Sequence, residues 1–269
     1  QIYYDAFSDA KNYQNSINNY NSLSKKEKNI KTSPKRNLQL EALSEIIDEK
    51  RFITCHSYIQ SEINMLMKMA DSMGFQINTF THILEGYKVA DKMKKHGVGA
   101  STFSDWWAYK YEVRDAIPYN ACMLSKMGIV TAVNSDDAEM GRRLNQEASK
   151  AIKYGGCSEN EALKLVTLNP AKLLHIDQLT GSIKVGKDAD IVIWTRSPLS
   201  IYSKVEQTYV DGRLLFDSEK QEDLFKENEA KRSNLITEMI AAKKNGAPTQ
   251  SIKKQVNKLH KCNDFEIDE

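Results

Sequence analysis

Between residues 52 and 156, short apolar runs alternate with longer helix-patterned segments that close on glycine, and this rhythm limits the possible folds more than any other feature. Residues 52–56, 77–82, 98–103 and 129–136 read as strands, being short runs rich in β-branched, aromatic and small side chains. Residues 62–73, 85–96, 119–127 and 145–154 read as helices that stop at Gly74, Gly97, Gly128 and Gly155-Gly156. Glycine suits these ends because it enters the left-handed conformation without a Cβ penalty. Strands alternating with helices predict βαβ units and a parallel sheet. Four units fill about 100 residues, whereas a closed (β/α)8 barrel needs about 250. The rhythm therefore predicts an α/β fold that supplies half of a TIM-like barrel.

The flanks read differently. Residues 1–50 form a polar, helical lead-in or an insertion: a stretch rich in Asn, Lys, Ser and Tyr, read as a loose helical or insertion segment at the surface. Ser33-Pro34 follows, read as an N-cap with proline in the first helical position, and Leu38, Leu40, Leu43, Ile46 and Ile47 supply an apolar face. Residues 51–175 carry the strand–helix units, to which Ser158 and Glu161 add a capping box opening another helix. Residues 176–217 are predicted to form part of a small β-sandwich module, with Asp211-Gly212 as a hairpin turn. Residues 218–269 form a charged helical tail, whose Leu224, Phe225, Leu235, Ile236, Met239 and Ile240 are expected to pack on the body or on a partner.

Composition excludes several function classes. The 38 basic and 36 acidic side chains leave a formal charge of +2, so no strong field favours nucleic acid. No apolar run approaches the roughly 20 residues of a membrane span. Cys55, Cys122, Cys157 and Cys262 are scattered, which argues against a disulfide scaffold and leaves the compartment undecided. The first residue is Gln1 rather than Met, so an upstream segment is expected.

In a parallel barrel the chemistry gathers at the C-terminal ends of the strands. His56 ends the first predicted strand, His82 the second and Asp136 the fourth. Alternation pairs Thr54 with His56, Phe80 with His82 and Asn134 with Asp136. If those faces line the lumen, two imidazoles and one carboxylate meet at one rim, a donor set suited to a divalent metal, zinc foremost. Taken singly, each has a plainer reading: a strand-end histidine is more often a hydrogen-bonding residue than a ligand, and Asp136 could cap the next helix.

The wording of the chain adds to this. Thr81-His82 with the following Ile-Leu-Glu-Gly-Tyr, Asn134-Ser135-Asp136, residues 142–148, Thr167-Leu168-Asn169-Pro170-Ala171-Lys172 and the Gly-x-Ile-x-x-Gly-x-x-Ala-Asp run of residues 181–190 closely resemble the amidohydrolase superfamily, nearest its imidazolonepropionase-related branch. The resemblance runs from about residue 52 to 217. It implies that the four units are the second, C-terminal half of the barrel, and it places the fifth-, sixth- and eighth-strand ligands on His56, His82 and Asp136. It further implies metal-dependent hydrolysis of an amide or cyclic amide C–N bond, with Asp136 moving the proton and His82 either binding metal or polarising the carbonyl. One departure is large: the family's first-strand His-x-His pair is absent, and its fourth-strand bridging residue cannot be assigned. The N-terminal half is accordingly expected from elsewhere in the same polypeptide or from another chain, and this segment alone is expected to be inactive.

Trp106, Trp107 and Tyr109 could wall a small-molecule substrate or simply pack their loop. Arg142 and Arg143 could bind a substrate carboxylate or form local salt bridges. His96, His175 and His260 read as structural or solvated. Two other classes remain beside the hydrolase: a degenerate half-barrel serving as a binding or scaffold subunit, and a metal-free barrel enzyme, disfavoured because no phosphate-binding glycine loop follows the last strands. The sequence leaves the oligomeric state open.

Overall fold

The structure is a computed structural model that describes residues 1–248 and 250. The chain divides into two compact units, Gln1–Lys187 and Asp188–Glu269. In the first, strands β1 (Thr54–Ser57), β2 (Thr79–His82), β3 (Gly99–Thr102) and β4 (Thr131–Val133) form a parallel sheet in chain order. The connections carry helices, as parallel pairing requires. These are α4 (Gln60–Met73), a 3-10 turn (Gly86–Val89) leading into α5 (Ala90–His96), and α6 (Asn120–Lys126). Gly74 and Gly97 close α4 and α5 in the left-handed conformation, with φ of 70° and 86°. After β4 come α7 (Ala138–Gly141), α8 (Leu144–Gly155), α9 (Glu159–Lys164) and α10 (Leu168–Leu173). The capping box of Ser158 and Glu161 opens α9 as expected.

One face of the sheet meets the helices. Phe80 and Ala100 point into a core with Ile63, Met67, Met93 and Leu124. The lead-in is helical, and it is packed rather than loose. Helix α1 (Ile2–Asn21) buries Phe7, which stacks on Phe75 with ring centroids 4.2 Å apart. The predicted cap at Ser33 is also displaced: α3 (Leu38–Ile47) starts at Asn37, whose side chain accepts hydrogen bonds from the backbone N–H groups of Gln39 and Leu40. An asparagine satisfies two orphan donors there, and the Ser33-Pro34 segment ahead of it is not helical. Helix α2 (Lys25–Lys28) is one short turn between them.

The motif after the sheet is explained by contacts. Asn169 donates its side-chain amide to the Thr131 carbonyl at 2.7 Å, tying the Asn-Pro-Ala turn to β4. Gly181 lies so close that a Cβ there would stand 2.6 Å from the Ala171 Cβ, so only glycine fits. Lys187 donates to the carbonyls of Asp177 and Thr180 and to the Ser182 hydroxyl, closing the same loop. Cys122 and Cys157 form a disulfide inside a small apolar cluster with Ala121, Val133 and Leu165, which scattered spacing did not foretell. Among the described residues it is a single link rather than a scaffold. Cys262 and His260 lie outside the described residues.

The second unit holds an antiparallel sheet of β5 (Ile191–Trp194), β6 (Val205–Val210) and β7 (Arg213–Asp217). Asp211 and Gly212 make the β6–β7 turn with φ of 49° and 73°, the double positive φ that such a two-residue hairpin demands. Strand structure begins only at Ile191, so the motif from Gly181 to Asp190 is bends, one short turn and irregular backbone. Helix α11 (Ser218–Lys244) is capped by Asp217 and buries none of its residues; Phe225 and Met239 are exposed. No helix among the described residues is long and apolar enough to cross a membrane.

Candidate active site at the C-terminal edge of the parallel sheet

His56 and His82 meet at this edge: His56 Nδ1 lies 2.7 Å from His82 Nε2. Strand register alone would keep them apart. His56 pairs with Thr81, and His82 with Ser57 and Thr102. Residues paired in this way share a face, and Ser57, Thr102 and Phe80 all lie on the buried, helix-covered side. The alternation that joins Phe80 to His82 therefore points to the core rather than to the open face, which corrects the sequence expectation.

The reason His82 escapes is its backbone. Its φ is +74°, and that of Ile83 is +35°. Turning about N–Cα from the usual strand value to a positive one swings the Cβ to the opposite side of the chain. The His82 ring then occupies the slot that register assigns to the next residue, between Tyr58 and Phe103. It stacks on both at 5.0 Å, with interplanar angles of 6° and 25°. Ile83 takes the vacated place in the core. Left-handed backbone at two consecutive non-glycine residues is strained, and such strain persists only where surroundings over-determine it.

The surroundings are specific. Ile83 N–H donates to the Ser57 carbonyl at 2.8 Å, and Glu85 N–H to the Tyr58 carbonyl at 3.0 Å. Buried Asn120, on α6, donates to the Ile83 carbonyl at 2.9 Å and to Thr102 Oγ1 at 3.0 Å, and accepts from Tyr87 N–H at 3.0 Å. Glu85 accepts from Gln60 N–H at 2.9 Å and pairs with Lys88 at 3.2 Å.

His82 is 1% exposed while His56 is exposed. Burial, reinforced by His56 and Lys110 and opposed by Asp136, pushes the His82 pKa down to about 4. It is therefore neutral near pH 7, the form that binds metal. His82 Nδ1 is buried without a hydrogen-bond partner among the described residues. A neutral His82 imidazole with one orphaned nitrogen, beside a second imidazole and a carboxylate that acts on it, fits a divalent ion in donor chemistry. No group of three or more histidine, cysteine, aspartate or glutamate side chains is close enough together to hold a metal ion among the described residues.

Asp136 does not end a strand. β4 stops at Val133, and Asp136 follows in an exposed bend with φ of +49°. Strand alternation hence cannot orient it. Asn134 anchors the bend by donating to Ser101 Oγ at 2.7 Å, and Asp137 caps α7 by accepting from the N–H groups of Glu139 and Met140.

The aromatic loop divides. Trp106 stacks on Phe103 at 4.8 Å, Tyr109 meets Trp106 edge-on at 5.2 Å, and Trp106 Nε1 donates to Met140 Sδ at 2.7 Å. Burial and the neighbouring Tyr58 raise the Tyr109 pKa. Trp107 turns instead toward Tyr154 on α8. The loop base is clamped by buried Glu147, which takes hydrogen bonds from Ser104 and Lys150, while Lys150 also pairs with Asp105. Arg143 lies 3.6 Å from Glu147 and Arg142 lies 3.6 Å from Glu139, so both arginines have local partners. Lys110, with its Nζ 4.0 Å from the Tyr58 ring centre, makes no ion pair among the described residues.

Tyr58, Phe103, Lys110, Asn120 and Glu147 were not legible as site residues in the sequence. Only the strand-end positions of Tyr58 and Phe103 carried any signal. His96 bonds Asp71 at 2.6 Å and the Ile77 N–H at 3.1 Å, and His175 bonds Asn78 at 2.6 Å, so both act in the scaffold.

Comparison with known proteins points to one family. The sequence model described as the Amidohydrolase family matches residues 56–215. Amidohydrolase tasK of Hapsidospora irregularis is 29% identical over 185 residues, covering 67% of this chain and 19% of that protein. The imidazolonepropionase of Thermoplasma volcanium is 36% identical over 77 residues, covering 26% of this chain and 19% of that protein. A crystal structure of an amidohydrolase from Thermotoga maritima superposes with a TM-score of 0.71 at 27% identity, covering 80% of this chain and 55% of that one. The chain thus spans about a fifth of these curated relatives and about half of the solved one.

Proposed function

The chain belongs to the amidohydrolase family, and from that premise we propose that it carries part of the active site of a metal-dependent hydrolase acting on an amide or cyclic amide C–N bond. The observation that supports this most is the 2.7 Å convergence of His56 and His82 at the C-terminal edge of a parallel sheet, achieved through strained backbone. In this reading the four strands are one half of an eight-stranded barrel, and β5–β7 are part of a small β-sandwich. The remaining strands and ligands come from the same polypeptide or from another chain. His56, His82 and Asp136 would hold the metal, with zinc the first candidate because imidazole and carboxylate donors suit it.

A bound divalent ion supplies an acidified water and a polarised carbonyl. Asp136 takes the proton of the attacking water and passes it to the leaving nitrogen, general acid–base work for a carboxylate at the rim. His82, held neutral by burial, keeps its ring plane fixed between Tyr58 and Phe103. Trp106 and Tyr109 extend that wall and shield the reacting centre from water, and a small-molecule substrate lies against it. The test is zinc content and turnover of an amide and a cyclic amide panel by the complete protein. Zinc bound and turnover lost together in H56A and H82A is the expected result. Undiminished turnover in the double variant would overturn the reading, and zinc without any turnover would favour a binding or scaffold subunit.

A further inference from the structure

We infer that Asn120 is the positioning residue of this site: it holds the left-handed turn at His82–Ile83 that brings His82 onto His56. The inference takes from the proposed function only the importance of the histidine pair; the geometry stands by itself. Asn120 is 1% exposed, and its amide fills three hydrogen-bonding roles at once. Nδ2 donates to the Ile83 carbonyl and to Thr102 Oγ1, and Oδ1 accepts from the Tyr87 N–H. These three partners bracket the strained turn: the carbonyl that leaves it, the hydroxyl of the adjoining strand end, and the backbone that follows it.

The bond to the Ile83 carbonyl has a particular consequence. Were His82 to relax to an extended φ, its Cβ would return to the helix-covered face where Thr102 and Asn120 lie, and the peptide after Ile83 would turn with it. Both donor bonds of Asn120 would then be lost among buried groups. A buried carbonyl without a donor carries the full desolvation penalty of that group, which is comparable to the strain of a left-handed non-glycine residue. Asn120 therefore tips the balance toward the strained form. Aspartate lacks the donors, and alanine lacks the whole amide. The neighbouring bonds from Ile83 to Ser57 and from Glu85 to Tyr58 are backbone bonds that any sequence could make; Asn120 is the side chain that selects this conformation.

The experiment uses the full chain labelled with 15N and reads the through-hydrogen-bond 15N–15N coupling between His56 Nδ1 and His82 Nε2, together with the thermal midpoint. Asn120→Asp and Asn120→Ala are compared with Asn169→Ala, which removes another buried-facing amide bond, to Thr131, away from the histidines. The expected result is coupling in the wild type and in Asn169→Ala, and its loss in both Asn120 variants, at temperatures where all four remain folded. Coupling retained in either folded Asn120 variant, or lost equally in Asn169→Ala, would overturn the inference. So would its absence from the wild type. A wild-type chain that shows the coupling while the complete protein neither binds zinc nor hydrolyses amides would defeat the hydrolase reading and leave the role of Asn120 standing.

Discussion

The ends of β2 and β4 present two candidate ligands in opposite ways. At the end of β2, His82 is buried, stacked on two rings and backed by Asn120 through three hydrogen bonds to its surroundings. At the end of β4, Asp136 lies exposed in a bend, anchored through Asn134 two residues earlier and the capping Asp137 one residue later. Both have positive φ. One strained residue is held by a packed core, the other by a hydrogen bond to the neighbouring strand and a helix cap. A ligand that must sit still is built the first way, whereas a group that must exchange protons benefits from the access of the second.

If this contrast is right, the largest effect belongs to chemistry at the exposed end. If the complete protein is the hydrolase proposed, Asp136→Asn should lower its kcat by ~10²–10⁴-fold, the usual worth of general acid–base catalysis, while zinc content holds. Near wild-type kcat with full zinc would remove Asp136 from the reaction. Next comes the buried end: Asn120→Ala should cost about 3 kcal/mol in urea unfolding, because it orphans buried polar groups. A loss below about 1 kcal/mol would mean that the turn is held by its backbone bonds alone.

A pH effect should follow from His82. Its pKa is about 4 in the folded chain against an ordinary 6.5, so the unfolded chain takes up a proton first as pH falls. Its contribution to the stability of the metal-free chain is fully present above pH 6.5 and is lost as pH drops toward 4. His82→Gln should flatten that slope in denaturation measured across the window; an unchanged slope would assign it to other groups. The smallest effect sharpens the comparison from the other side. Asp136→Asn should change stability by no more than about 0.5 kcal/mol, as expected for an exposed side chain. By contrast Asp137→Ala, one residue along, should cost about 1 kcal/mol through loss of its helix cap. Reversal of that order would show that Asp136, not Asp137, is the structural member of the pair.

Much of the fold was legible because local rules wrote it. Gly74, Gly97 and Gly156 close their helices with positive φ, Ser158 and Glu161 form their box, and Asp211-Gly212 turns its hairpin. Each depends on residues within a few positions of one another, and steric limits on φ and ψ leave them little choice. The strand–helix rhythm predicted a parallel sheet for the same reason. The site was legible only in its residue types. His56 and His82 could be picked out as strand ends, but alternation assumes extended backbone throughout, and one positive φ reverses the side on which a side chain emerges. Asp136 was assigned to a strand that had already ended.

What the sequence determined by itself is the order of elements, their caps and turns, and the family to which they belong. Only the tertiary structure decided that His82 faces His56. That outcome rests on Asn120, thirty-seven residues after Ile83 in the chain but within 2.9 Å of its carbonyl. The physical reason is that strain at one residue is stable only when paid for by contacts elsewhere, and no local pattern records where those contacts will come from.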